Sequence, residues 1–233
     1  MIMFNLPLEI TEEDNLQSIF NKYGAYALDK QENLSDLIGE KDGELDIENG
    51  VLSFGEDLSF PIQLIAYLSL DDNKFSWAWD NSEIGFPDEL IDESKKIKEF
   101  GEEYNIPQFT TPIFDADIEE AHFLAMTVIS LFDDNAYYVA EIGNFAFFVT
   151  INSDDIPEDN TIDRFEFIFY NFQKNYNVNG KVAFEGYAAL KGYPTNVYDE
   201  DNFQVAIIGE NKIMIGYSKR GNVNLIKTFK PDE

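Results

Sequence analysis

Cysteine is absent from the 233 residues, which removes disulfides, thiolate nucleophiles and cysteine-ligated metals together. Histidine occurs once, at His122, and arginine only at Arg164 and Arg220. A Ser-His-Asp arrangement would have to use His122, and no Gly-x-Ser-x-Gly turn accompanies it. Neither a Walker loop nor a dinucleotide fingerprint is present. Positive charge is scarce: 16 lysines and arginines face 45 acids, a formal net charge of -29. Nucleic acid and anionic membranes are therefore not expected as partners, since phosphate binding needs lysine and arginine. A protein with a basic surface would be drawn in, although charge runs are commonly just solvated faces. No run of eighteen apolar residues predicts a membrane span. Met1–Ile10 carries no lysine or arginine and leads into Glu12, Glu13 and Asp14, unlike a signal peptide, so a cytoplasmic protein is expected.

What the chain does have is core material: 44% hydrophobic residues, including 21 phenylalanines. A chain of this size can bury roughly 70–75% of its unfolded surface. The stretch Ser59–Ser82 organises the rest. Phe60, Ile62, Leu64, Ala66, Leu68 and Leu70 alternate with Gln63, Tyr67 and Ser69. Asp71-Asp72-Asn73 interrupts, and Phe75, Trp77 and Trp79 resume the period opposite Ser76, Ala78 and Asp80. Period-two alternation about a polar turn predicts an antiparallel hairpin with one buried face, at the centre of a sheet.

Around it the spacing predicts a helix capped by Thr11 and stopped at Gly39, then a short hairpin closed by Asn49-Gly50. A helix follows Pro87, and another starts near Asp115 or Asp117 with Ile118, Ala121, Ala125, Val128, Ile129 and Phe132 inward. Tyr138, Ala140 and Ile142 meet Phe145, Phe147 and Val149 across Gly143-Asn144, all six on one face. The polar stretch 152–163 reads as a linker between a main lobe, 1–151, and a C-terminal lobe, 164–233, packed as one compact unit. The second lobe holds a helix through Phe165–Tyr176, a shorter one from Val182 to Lys191, and three strands: Phe203–Ile208, Ile213–Tyr217 and Val223–Phe229. The fold class is α+β, with antiparallel sheets built from hairpins and packed by a long N-terminal helix and two helix pairs.

Several pieces occur in a familiar order: Tyr23-Gly24-Ala25-Tyr26-Ala27-Leu28 with Gln31, Ser53-Phe54-Gly55, Trp77-Ala78-Trp79-Asp80-Asn81, Phe100-Gly101-Glu102, and Ile106-Pro107. Together they resemble a bacterial family of unknown function with a W-x-W-x-N signature, over about the first 150 residues. The resemblance implies a fold and a bacterial origin and brings no activity.

For a site, Trp77 and Trp79 offer a stacking platform for a planar ligand or sugar, while core packing explains them without one. Asp80 and Asn81, where strand gives way to loop, are the accompanying binding candidates. Glu119 and His122 have the Glu-x-x-His spacing of di-iron bundles, but a second motif cannot exist with one histidine. Acid clusters at Asp154, Asp155, Glu158 and Asp159, and at Asp199, Glu200 and Asp201, lack the glycine-centred loop of an EF-hand. No catalytic residue, metal or cofactor is assigned. The expected function is non-catalytic binding of another protein, for example immunity-type binding of a basic partner. The alternative is a small-ligand-binding or hydrolytic protein with a pocket at Trp77, Trp79, Asp80 and Asn81.

Overall fold

One long strand carries three partners and sets the architecture. The computed structural model describes residues 6–80, 84–198 and 202–231. Within them α1 (Leu16–Ile38) leads into the strands β1 (Gly43–Asp46), β2 (Val51–Phe54), β3 (Leu58–Ser69) and β4 (Lys74–Trp77). A 3₁₀ turn (Asp88–Leu90), α2 (Asp92–Tyr104), α3 (Pro107–Thr110), β5 (Ile113–Asp115) and α4 (Ile118–Leu131) follow. Then come β6 (Ala136–Ile142), β7 (Phe145–Ile151), α5 (Ile162–Asn175) and α6 (Gly180–Leu190). The strands β8 (Thr195–Tyr198), β9 (Phe203–Ile208), β10 (Asn211–Tyr217) and β11 (Val223–Phe229) complete the order. Both sheets are antiparallel and the class is α+β. The larger runs β1-β2-β3-β4-β5 with β7 and β6 branching from β3; the smaller runs β11-β10-β9-β8.

β3 pairs with β2 through its first residues, with β4 through its last, and with β7 along its other edge. The hairpin expected at Ser59–Ser82 therefore exists and is central. Its faces differ from the simple alternation. Leu64 stands opposite Val149 and Ala66 opposite Phe148, so β3 spends two residues where β7 spends one, and Ile65 forms a bulge. Since side chains alternate with period two, the extra residue turns the following ones over. Phe60, Ile62 and Leu64 enter one apolar cluster with Val149 and Ile151, while Ala66 and Leu68 enter the other with Ala146 and Phe148. Leu70 lies beyond the strand and is exposed. The hairpin β6–β7 keeps its expected register, Tyr138 opposite Val149, Ala140 opposite Phe147 and Ile142 opposite Phe145.

α1 starts later than Thr11. Asn15 is its cap, accepting from the Ser18 amide while the Ser18 hydroxyl accepts from the Asn15 amide. Thr11 instead closes a turn on Asp14. The C-terminal stop at Gly39 stands, with φ 59°. Ile19, Phe20, Tyr23, Ala25, Ala27 and Leu34 are all buried, a distribution around the helix that places α1 inside the molecule rather than on it. At its closest neighbour, α6, a Cβ on Gly186 would sit 2.0 Å from the Lys22 carbonyl oxygen, so only glycine allows the two backbones to meet there.

The larger apolar cluster joins Ile19, Phe20 and Tyr23 of α1, Val128 and Ile129 of α4, Phe165 and Phe169 of α5, Phe184 and Tyr187 of α6, and Ile213 and Ile215 of β10. Within 152–163, Ile156 is buried in the smaller cluster and Ile162 in the larger. The periodicity had no place for β5, α3 or β8; each is three or four residues long, too short to show a period.

Candidate functional site

β4 ends at Trp77, so Trp79 falls in the turn beyond it instead of continuing the alternation from Phe75. The bulge explains the break: the free carbonyl of Ile65 accepts from the Ala78 amide at 2.9 Å and from the Ser94 hydroxyl at 2.8 Å, and the Trp79 amide donates to Ser94 Oγ at 3.0 Å. Trp77 is fully buried, edge-on to Phe75 and Phe109, with Nε1 donating to the Gln108 carbonyl at 2.7 Å. Trp79 is half-buried, its indole N–H without an acceptor among the described residues and its ring capped by Lys98 Nζ at 4.5 Å. Asp80 is half-buried beside it; Asn81 lies outside the described residues, as do Asp199, Glu200 and Asp201.

Neither tryptophan nor Asp80 lines the cleft at the start of α4; Trp77 reaches it only through Gln108 and Phe75. Gln108, whose carbonyl accepts from Trp77, and Phe114, tilted against Phe75 with ring centroids 5.1 Å apart, line this cavity of about 530 Å³. Leu16, Phe123, Leu124 and Tyr176 complete an apolar floor. Asp115, Asp117, Glu119 and Glu120 form the rim, and among the described residues no lysine or arginine lines it. Asp117 and Glu120 cap α4 reciprocally, at 2.8 and 2.9 Å, and Asp115 is paired with Lys74 at 2.5 Å. Glu119 lies outside both arrangements. His122 sits deeper on α4, with Nδ1 2.8 Å from the Tyr137 hydroxyl, and burial pulls its pKa down; it is a half-buried packing residue.

The bulge creates a second polar feature. On the face that carries Ala66 and Leu68 after Ile65, β3 presents Gln63 before it, opposite Thr150 of β7. α2 docks its first turn there: Gln63 Oε1 accepts from the Glu93 amide at 3.1 Å, and Gln63 Nε2 donates to the Glu89 carbonyl at 2.8 Å. Thr150 Oγ1 donates to Glu93 Oε2 at 2.9 Å. From the other side, Asp133 takes the left-handed backbone (φ 62°) that ends α4, a conformation aspartate tolerates. Asp134 is thereby brought against Glu93, carboxyl to carboxyl, its own main-chain carbonyl held by the ammonium of Lys30. Burial raises both carboxyl pKa values, and for Asp134 the charge of Glu93 raises it further; Lys96 and Lys30 pull the other way. The pair holds a proton that neither acid would hold alone in water.

Carboxyls with raised pKa bind their proton more tightly folded than unfolded. Their contribution is full below the unfolded value near pH 4 and is lost as pH climbs through the raised folded values. Glu93→Gln places a donor where the proton sits and abolishes that loss. Its unfolding free energy in urea should exceed the wild type's by an amount that grows from pH 5 to pH 8. A difference that does not change with pH would show that no proton is shared.

Neither Glu93 nor Asp134 stands out in the sequence. Glu93 sits beside Ser94 in the packed stripe of α2, and Asp134 belongs to a run, Asp133-Asp134-Asn135, that reads as a surface turn.

The features so far define an α+β protein whose described residues include no helix long and apolar enough to cross a membrane and no group of three or more potential metal ligands. The chain belongs to DUF6882, a family of unknown function, whose match runs over residues 17–154, from α1 to just past β7. No curated protein and no solved structure matches it.

Proposed function

We propose that this chain is a cytoplasmic bacterial protein that binds another protein of basic surface, as an immunity-type protein binds a basic toxin. The observation that supports this reading best is the cleft at the start of α4: an apolar floor with four carboxylates and no lining cation, on a chain of net charge -29. A lysine or arginine side chain of a partner suits such a cleft, its methylene stem on the floor and its head among the acids. The surrounding negative field would speed encounter and disfavour acidic competitors.

The test is capture from the source cell on immobilised protein at low and moderate salt, beside a Glu119→Lys variant. Glu119 makes no capping bond, and a lysine in its place in the first turn costs α4 only roughly 0.3–1 kcal/mol, so a thermal melt checks that the variant is folded. A basic protein retained at low salt, released at moderate salt, and held at least about tenfold more weakly by the variant is the expected result. Recovery of no basic protein at either salt sinks the reading. Equal retention by Glu119→Lys would remove the cleft from it.

A further inference from the structure

The cavity above the carboxyl pair is distinct from the cleft at α4. It encloses about 300 Å³, at the lower end of small-ligand pockets. Glu93 and Asp134 line it, 8% and 4% exposed, and apart from the proton between the two carboxyls, Glu93 Oε1 and Asp134 Oδ2 receive no hydrogen bond from the described residues. Buried carboxyl oxygens are normally supplied with donors. Gln63 cannot provide one, because both ends of its amide are already engaged. Lys96, one turn on from Glu93, lines the same cavity together with Asn152, and Pro61, Ile62 and Phe132 give it apolar walls.

We infer that this cavity binds a small zwitterion, an amino acid or ω-amino acid, with its ammonium or guanidinium on Glu93 and Asp134 and its carboxylate toward Lys96 and Asn152. A cationic head brings several N–H donors where the carboxyl pair has one shared proton, and such charge-assisted bonds are the strong ones. A cation without an anionic tail would meet Lys96 unfavourably; a zwitterion matches both ends. The charged groups facing the pair are Lys96 from α2, Lys30 from α1 and Asp133 at the end of α4. As the head enters, the shared proton leaves to solvent, so affinity rises with pH while the ligand's amine stays protonated.

Calorimetric titration of the intact chain with L-lysine, L-arginine and 4-aminobutyrate, against cadaverine and agmatine, tests this. Buffers of different ionisation enthalpy count the protons released. At least one zwitterion should bind saturably with proton release, about tenfold or more tighter than the diamine or agmatine. Glu93→Gln and Asp134→Asn should each weaken it by about tenfold or more, and Lys96→Ala should abolish the preference for the carboxylate. Urea midpoints establish that the variants are folded. The inference is overturned by no saturable heat from any of the three zwitterions, by cadaverine or agmatine binding as tightly, or by a folded Glu93→Gln that binds like wild type. None of these outcomes touches the basic-protein reading, which rests on a different cavity.

Discussion

Lys191→Met should cost the fold about 3–5 kcal/mol, because it strands a buried carboxylate. Lys191 follows α6 directly and its ammonium lies 3.0 Å from Asp29 Oδ2 of α1, with the two side chains 3% and 0% exposed. Lys191 is the nearest cation to Asp29, and the buried Tyr187 hydroxyl and, further off, Arg164 favour the charged carboxylate in the same direction. Burial pushes the Asp29 carboxyl up while Lys191 pulls it down. Without the ammonium, Asp29 must either stay charged in an apolar surround or take up a proton, and both weaken the native state. The lysine also donates to the Asp159 carbonyl at 3.3 Å, so the variant loosens 152–163 at the same point. Urea unfolding followed by circular dichroism measures the loss. The double variant Asp29→Leu, Lys191→Met removes both charges and should recover most of it, since a matched apolar pair often equals or exceeds a buried ion pair. A single variant within about 1 kcal/mol of wild type would mean that the pair is hydrated and screened.

Trp77→Ala should be comparably severe, about 3–5 kcal/mol, by leaving a cavity between β4 and α3. The indole is completely enclosed, its ring centroid 4.9 Å from that of Phe75 and 5.7 Å from that of Phe109. Its N–H is also the donor to Gln108, so truncation empties volume and leaves a carbonyl short of its partner. Trp77→Phe keeps much of the ring and loses the donor, for a smaller loss of about 1–3 kcal/mol. Thermal melts of the two variants order these costs. If Trp77→Ala melted within about 2 °C of wild type, the indole would be no part of the packed core.

The sheet was legible where alternation was clean. Tyr138 opposite Val149 follows from turn position and period alone, whereas Leu68 meets Phe75 because β3 stops at Ser69 and Leu70 joins the turn expected at Asp71-Asp72-Asn73. The bulge was less so, though it left a trace: Ile65 is an aliphatic residue between Gln63 and Tyr67 on the more polar side of β3. Its consequence, the exchange of faces at Ala66, needs the partner strand to be seen. The start of α1 was misplaced because Thr11 and Asn15 are both good caps, and only the reciprocal Asn15–Ser18 pair decides between them. The charged interior was not legible. Asp29, Glu93, Asp134 and Lys191 look like surface residues in a chain with 45 acids, and each is buried through contacts with elements distant in sequence. Arg164 is similar: it reaches back from α5 to Glu32 and Asp36 of α1 as well as to Asp159.

The position of α1 carries a consequence for biosynthesis. A ribosome makes this helix before α5 and α6, so the backbone that must nest against Lys22 at Gly186, and the Phe172 ring that closes over Gly24, follow it by more than a hundred residues. A nascent chain that has reached only Ile151 can assemble the sheet branching from β3, but one flank of α1 is then bare and oily. Until α5 and α6 emerge, that flank is a natural client for a holding chaperone.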